Sequence, residues 1–160
     1  MNKKNTLIFT ATTLIVAGYF LYKKYHKKSI KTYDKNFKLY INNSWNIENN
    51  NNNSNLELVN KEKNIYLIIY SEKKDDNISL EEYNNHTILS INNNIIKQNK
   101  TKLGQNNAII NIFPDDNINY FLYTIETNKY FHKCIIASFN TSSININYTN
   151  SILSTLKEIQ

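Results

Sequence analysis

Residues 64–71, NIYLIIYS, set the tightest limit on what this chain can fold into. In an extended chain successive side chains point to opposite faces. Ile65, Leu67 and Ile69 therefore form one apolar face, and Tyr66, Ile68 and Tyr70 the other. A strand that is apolar on both faces is one covered on both faces, which predicts a layered structure of sheet and helices. NLELVN at 55–60 supplies a neighbouring strand, joined to it by the polar turn around Lys61 to Lys63.

The surrounding segments extend the pattern. FKLYI at 37–41 alternates apolar and polar residues, as a short strand does, and NNS separates it from Trp45. KLGQNNAIINIF at 102–113 reads as a strand preceded by a bulge or tight turn at Gly104. PDDN at 114–117 is a turn. INYFLYTIE (118–126) and KYFHKCIIASF (129–139) flank the short hairpin connection TNK. Two segments read as helices. In 75–96, Ser79 and Glu82 form a capping box, and Leu80, Tyr83, Thr87, Ile88, Ile91 and Ile95 recur at helical spacing. In 148–159, Tyr148, Ile152, Leu156 and Ile159 fall on one stripe. Three or four strands, a helix, three strands and a helix make an α+β fold with a mainly antiparallel sheet, its faces covered by the helices.

Composition explains ENNNNNSN at 48–55. The chain has 31 Asn, 24 Ile, 19 Lys and no Arg, the usage of an AT-rich genome. The tract therefore reads as an enlarged hairpin loop rather than a self-associating segment.

The N-terminus is different in kind. Thr6 to Tyr22 are 17 residues without a formal charge. As a helix they span roughly 25 Å, the short end of a bilayer crossing. Leu7, Ile8, Phe9, Leu14, Ile15, Val16 and Phe20 supply the apolar surface. Tyr19, Tyr22, Lys23 and Lys24 supply an aromatic and basic boundary suited to a membrane interface. A core helix would end in mixed charge. A cleaved signal would end in small residues, but YFLY continues the apolar run after VAG at 16–18. LIVAGY also resembles a lipoprotein box with Tyr19 where the lipidated Cys would stand. The segment is read as an uncleaved transmembrane anchor.

The formal net charge of +6 is localised. Residues 1–31 hold seven Lys and no acid, whereas the rest of the chain, with 12 Lys and 13 acids, nets −1. That distribution, together with the absence of Arg, gives no nucleic-acid footprint.

Chemistry-bearing motifs are sparse. His132 and Cys134 lie at i, i+2 on one predicted strand face and are a candidate Cys–His nucleophile pair. Cys134 within CIIA reads more simply as a core residue. Asp75–Asp76 and Asp115–Asp116 lack the alternating spacing of a calcium loop and suit a helix start and a turn. With Gly18 and Gly104 the only glycines, there is no phosphate-cradling loop. No catalytic set, metal site or cofactor is expected.

FKLYINNSW, LELVNKEKNIYLIIYSEKK, ISLEEY, YFHKCIIASF and SILSTLKEI, taken in order, resemble the PsbP-like family over about residues 36–160. The family often has a Pro before the Trp, where this chain has Asn42, Asn43 and Ser44. The resemblance implies an α/β/α sandwich. It also implies a role in binding or assembly, since the family includes an extrinsic photosystem II subunit, a small Ran-binding nuclear factor and bacterial surface lipoproteins. The expected organisation is a stub (1–5), the anchor (6–22), a basic juxtamembrane linker (23–35) and a PsbP-like domain (36–160). The expected function is a membrane-tethered, non-catalytic bacterial domain with lipid contact through the anchor and an unidentified protein partner. The alternative is an enzyme using Cys134 and His132. The lysine count around the anchor favours a cytoplasmic domain. The resemblance favours an extracytoplasmic one, and long domains translocate despite flanking charge. The expectation is a single-pass protein with its domain outside.

Overall fold

The computed structural model describes residues 26–48, 54–91, 97–113, 119–138 and 146–159. The anchor residues Leu7 to Lys24, the Asn tract at 49–53, Ile95 and the PDDN turn lie outside them. Among the described residues, ten strands and two helices follow one another: β1 (Lys27–Lys31), β2 (Phe37–Asn42), β3 (Trp45–Ile47), β4 (Leu56–Asn60), β5 (Ile65–Lys73), α1 (Leu80–Ile91), β6 (Lys97–Leu103), β7 (Asn106–Phe113), β8 (Asn119–Glu126), β9 (Tyr130–Ser138), α2 (Ile146–Leu153) and β10 (Lys157–Glu158).

The strands form two antiparallel sheets, one of three strands in the order β1-β2-β10 and one of seven in the order β3-β4-β5-β9-β8-β7-β6. This is the α+β class read from the sequence. The NIYLIIYS strand lies inside the large sheet between β4 and β9, with Ile69 opposite both Leu56 and Cys134. Its two faces are not covered equally. Ile65, Leu67 and Ile69 are buried, whereas Tyr66 is exposed and Ile68 and Tyr70 are half-buried. The main core lies on the first face. There Ile30, Phe37, Leu39 and Ile41 of the small sheet and Ile152 and Leu153 of α2 meet Leu67, Ile69, Ile110, Tyr123 and Ile136 of the large sheet. On the other face α1 seats Leu80 and Tyr83 on Ile109 and Phe131, with the Tyr83 and Phe131 rings stacked 4.4 Å apart. Its contacts are with β7, β8 and β9, so the β5 side of that face receives less cover.

The helix start is as the sequence predicts. Ser79 Oγ accepts from the Glu82 amide (3.2 Å), and Glu82 Oε2 accepts from the Ser79 amide (2.8 Å). Leu80, Tyr83 and Thr87 are buried, and Ile88 and Ile91 are half-buried. Asn42 does the work of the missing proline: its Oδ1 accepts from the amide and hydroxyl of Ser44, closing the turn before Trp45.

Three boundaries differ from the sequence reading. Residues 23–35 are not all linker, because Lys27–Lys31 pairs along β2 as β1. A lysine-rich segment carries no strand signal of its own; the pairing is made by Ile30, whose side chain enters the core. Lys97–Leu103, equally polar, is edge strand β6. The terminal helix ends at Leu153 rather than continuing to Ile159. A turn puts Leu156 in the core, and Lys157–Glu158 joins β2.

Candidate functional site

His132 and Cys134 share the core-facing side of β9, as their spacing requires, and both are fully buried. The structure does not make them a catalytic pair. His132 Nε2 meets Thr127 Oγ1 at 3.1 Å and Nδ1 meets Ser71 Oγ at 2.8 Å. Thr127 gives its hydroxyl proton to the Tyr130 carbonyl (3.1 Å), so it accepts from His132, which assigns the proton to Nε2 and leaves Nδ1 to accept from Ser71. Phe37 sets its ring edge against the imidazole, centroids 4.5 Å apart. Burial lowers the His132 pKa to about 4, against the opposing pull of Glu158 and Asp34. Burial likewise raises the Cys134 thiol well above its ordinary value, so it stays protonated. A thiol with no thiolate and an imidazole with both nitrogens occupied cannot act as nucleophile and base. Their role is structural: His132 ties β5, β9 and the β8–β9 turn together.

A second polar group lies under α1, and the sequence did not reveal it. Asn84 Oδ1 accepts from Asn111 Nδ2 (2.7 Å) and Thr124 Oγ1 (2.8 Å), while Asn111 Oδ1 accepts from Gln98 Nε2 (2.9 Å). Asn84, Asn111 and Thr124 are fully buried. In a chain this rich in Asn, the three look like any others until the fold brings helix and sheet together. Asp75 accepts from the amide and side chain of Asn77, a turn ahead of the capped helix.

Two clefts lie on the described surface. One, of about 330 Å³, runs between the start of α1 and the β6–β7 hairpin, where Lys100 pairs with Glu81 at 2.6 Å. The other, of about 440 Å³, lies between Gly104–Asn106, the β8–β9 turn and Ser154–Glu158. Gly104 has φ +65 at the first central position of the two-residue turn between Leu103 and Asn106, a conformation that favours glycine. A Cβ there would stand 2.5 Å from the Ser154 carbonyl oxygen. Asn106 Nδ2 donates to the Leu156 carbonyl (3.1 Å), and Glu158 Oε1 accepts from the Lys129 amide (2.7 Å). Both clefts are lined by a mixture of polar and apolar residues.

The outer face of the small sheet gathers lysines. Ile30, Phe37, Leu39 and Ile41 point inward, so the alternate residues Lys27, Ser29, Lys31, Lys38, Tyr40 and Asn42 point outward. Lys31 is opposite Lys38, and Lys38 is opposite Lys157. The sequence assigned the basic excess to the flanks of residues 6–22. The alternation in FKLYI turns Lys38 outward, whereas Lys157, in a segment whose spacing predicts a helix, pairs with β2 as part of a strand.

No family model matches the sequence, and no curated protein does. Solved structures do. A protein from Bacteroides thetaiotaomicron VPI-5482 superposes with a TM-score of 0.62 at 14% identity, over 83% of this chain and 48% of its own. This chain thus spans about half the length of that protein. Cyanobacterial PsbP (CyanoP) from Synechocystis sp. PCC 6803 superposes with a TM-score of 0.59 at 5% identity, over 83% of this chain and 92% of its own. With nearly the whole of CyanoP matched, and the strand and helix order expected from the sequence present, the fold of this chain is PsbP-like.

Proposed function

We propose that this chain is a membrane-tethered, non-catalytic bacterial domain that binds or helps assemble a protein partner outside the cytoplasm. One observation carries the reading. In a PsbP-like fold, the two residues with the best claim to chemistry, His132 and Cys134, are sealed in the core with their reactive atoms occupied or neutral. What remains on the surface suits contact rather than turnover. The tether rests on the uncharged run from Thr6 to Tyr22 and its boundary of Tyr19, Tyr22, Lys23 and Lys24. Among the described residues no helix is long and apolar enough to cross a membrane, and the proposed tether is residues 6–22. An α/β/α arrangement of the domain agrees with α1 on one face of the large sheet and α2 on the other.

Alkaline carbonate extraction of membranes tests the tether: the full chain is expected in the pellet, and a chain lacking residues 1–25 in the supernatant. Release of the full chain would end the anchor reading. Sidedness is tested with Glu62→Cys in a Cys134→Ala background, since Glu62 lies in the exposed β4–β5 turn. A membrane-impermeant thiol reagent is expected to label intact cells. Labelling only after lysis would place the domain in the cytoplasm.

A further inference from the structure

We infer that the outer face of the small sheet is a docking surface for anionic phospholipid headgroups. Lys31, Lys38 and Lys157 stand in one row across β1, β2 and β10. Directly opposed side chains on one sheet face lie about 5 Å apart, where like charges repel. No ion pair among the described residues relieves that repulsion. The ion pairs Lys74–Glu126, Lys100–Glu81 and Lys133–Glu72 all lie away from this row. Two acids close to the row in sequence, Asp34 and Glu158, are engaged elsewhere. Asp34, in the β1–β2 turn, accepts from Thr32, Asn36 and Asn55. Glu158 is on the opposite side of β10, opposite Phe37, and accepts from the Lys129 amide. An uncompensated cationic row calls for an external anion. Tyr40, half-buried on the same face, adds an amphipathic ring of the kind that sits at headgroup depth.

Geometry selects a lipid surface over other polyanions, and here the inference rests on the anchor reading. Four residues separate Tyr22 from Lys27, five chain steps that span at most about 18 Å. If residues 6–22 cross the bilayer, β1 begins within that distance of the headgroups. The charged side chains on the face are all Lys, a point charge suited to phosphate, with no Arg to read bases.

The test reconstitutes the full chain, carrying Ser29→Cys in a Cys134→Ala background, into bilayers of phosphatidylcholine alone or mixed with phosphatidylglycerol. Ser29 is exposed on this face, and a fluorophore there reports contact with a headgroup-borne quencher. Quenching is expected to rise on the anionic bilayer and to fall in high salt. A charge near such a surface strengthens association roughly five-fold, so Lys31→Gln/Lys38→Gln/Lys157→Gln should weaken contact on the order of 100-fold. The corresponding triple Arg variant should retain contact, and an unchanged melting temperature should show that both variants fold. Equal quenching on the two bilayers, or an unaffected triple Gln variant, overturns the proposal. So does retardation of an oligonucleotide through these lysines without any lipid response, which would make the partner a nucleic acid. Carbonate extraction of the same samples separates the two claims. A chain released by carbonate that still floats only with anionic vesicles, through these lysines, lacks the anchor and keeps the docking face. A chain retained without composition dependence keeps the anchor and lacks the docking face.

Discussion

His132 shows how one side chain can link a fold to pH. Its folded pKa of about 4 lies below its ordinary 6.5 because burial disfavours the imidazolium. Above pH 6.5 both folded and unfolded chains hold it neutral, and it adds no pH dependence. Between 6.5 and 4 the unfolded chain takes up the proton and the folded chain does not, so stability falls as pH falls. At about 1.4 kcal/mol per pH unit, the loss approaches ~3 kcal/mol by pH 4. Urea midpoints measured across this range should show the decline. His132→Gln should be less stable at neutral pH yet flatter below 6.5; an equal slope in that variant would assign the effect elsewhere. Gly104 is constrained by backbone rather than charge. Gly104→Ala must hold φ +65 and push a methyl toward the Ser154 carbonyl 2.5 Å away, so a loss of roughly 1–3 kcal/mol in urea unfolding is expected. The turn was legible from the sequence because glycine is rare in this chain. The contact with Ser154 was not, since it joins segments about fifty residues apart.

Among the elements, α1 depends most on its own termini. Leu80 and Tyr83, both near its start, anchor it in an apolar cluster, while in its second half Ile88 and Ile91 are only half-buried and Leu89 is 75% exposed. Its capping box therefore matters more than usual. Ser79→Ala should cost about 1 kcal/mol and raise amide hydrogen exchange in α1 ahead of the sheet. Uniform exchange across α1 and β9 in that variant would contradict this ordering. The capping box was plain in the sequence because its residues are three apart and act locally. The polar strands were not. β1 and β6 contain three lysines each and little apolar signal, and each is the edge of its sheet. Lysine on an edge strand discourages pairing with another chain, so the feature that hides these strands from pattern reading suits them to their place.

At the level of the whole molecule, Trp45 marks the joint between the large sheet and the terminal helix. Its Nε1 and Asn60 Nδ2 both donate to the Tyr148 hydroxyl, at 2.9 and 3.0 Å, and the Trp45 and Tyr148 rings stack. Tyr148→Phe leaves the buried indole without its acceptor and should destabilise the fold by about 1–3 kcal/mol. As the chain has a single Trp, the change should also appear in its emission spectrum. An unaltered spectrum and midpoint would show the joint to be dispensable. The sequence by itself determined the antiparallel α+β plan, the capped helix, the hairpins and the distinct character of residues 6–22. Each of these depends on residues close together in the chain, where periodicity and turn chemistry act. It also placed His132 and Cys134 on one strand face, but their sealing needed the small sheet and β5 to close over them. Tertiary structure alone set the division into two sheets and the Asn84–Asn111–Thr124 group. It alone aligned Lys157 with Lys38 and Lys31, although more than a hundred residues separate the ends of that row. Such alignments arise from which segments bury their apolar faces together, and a polar residue is carried along by its apolar neighbours.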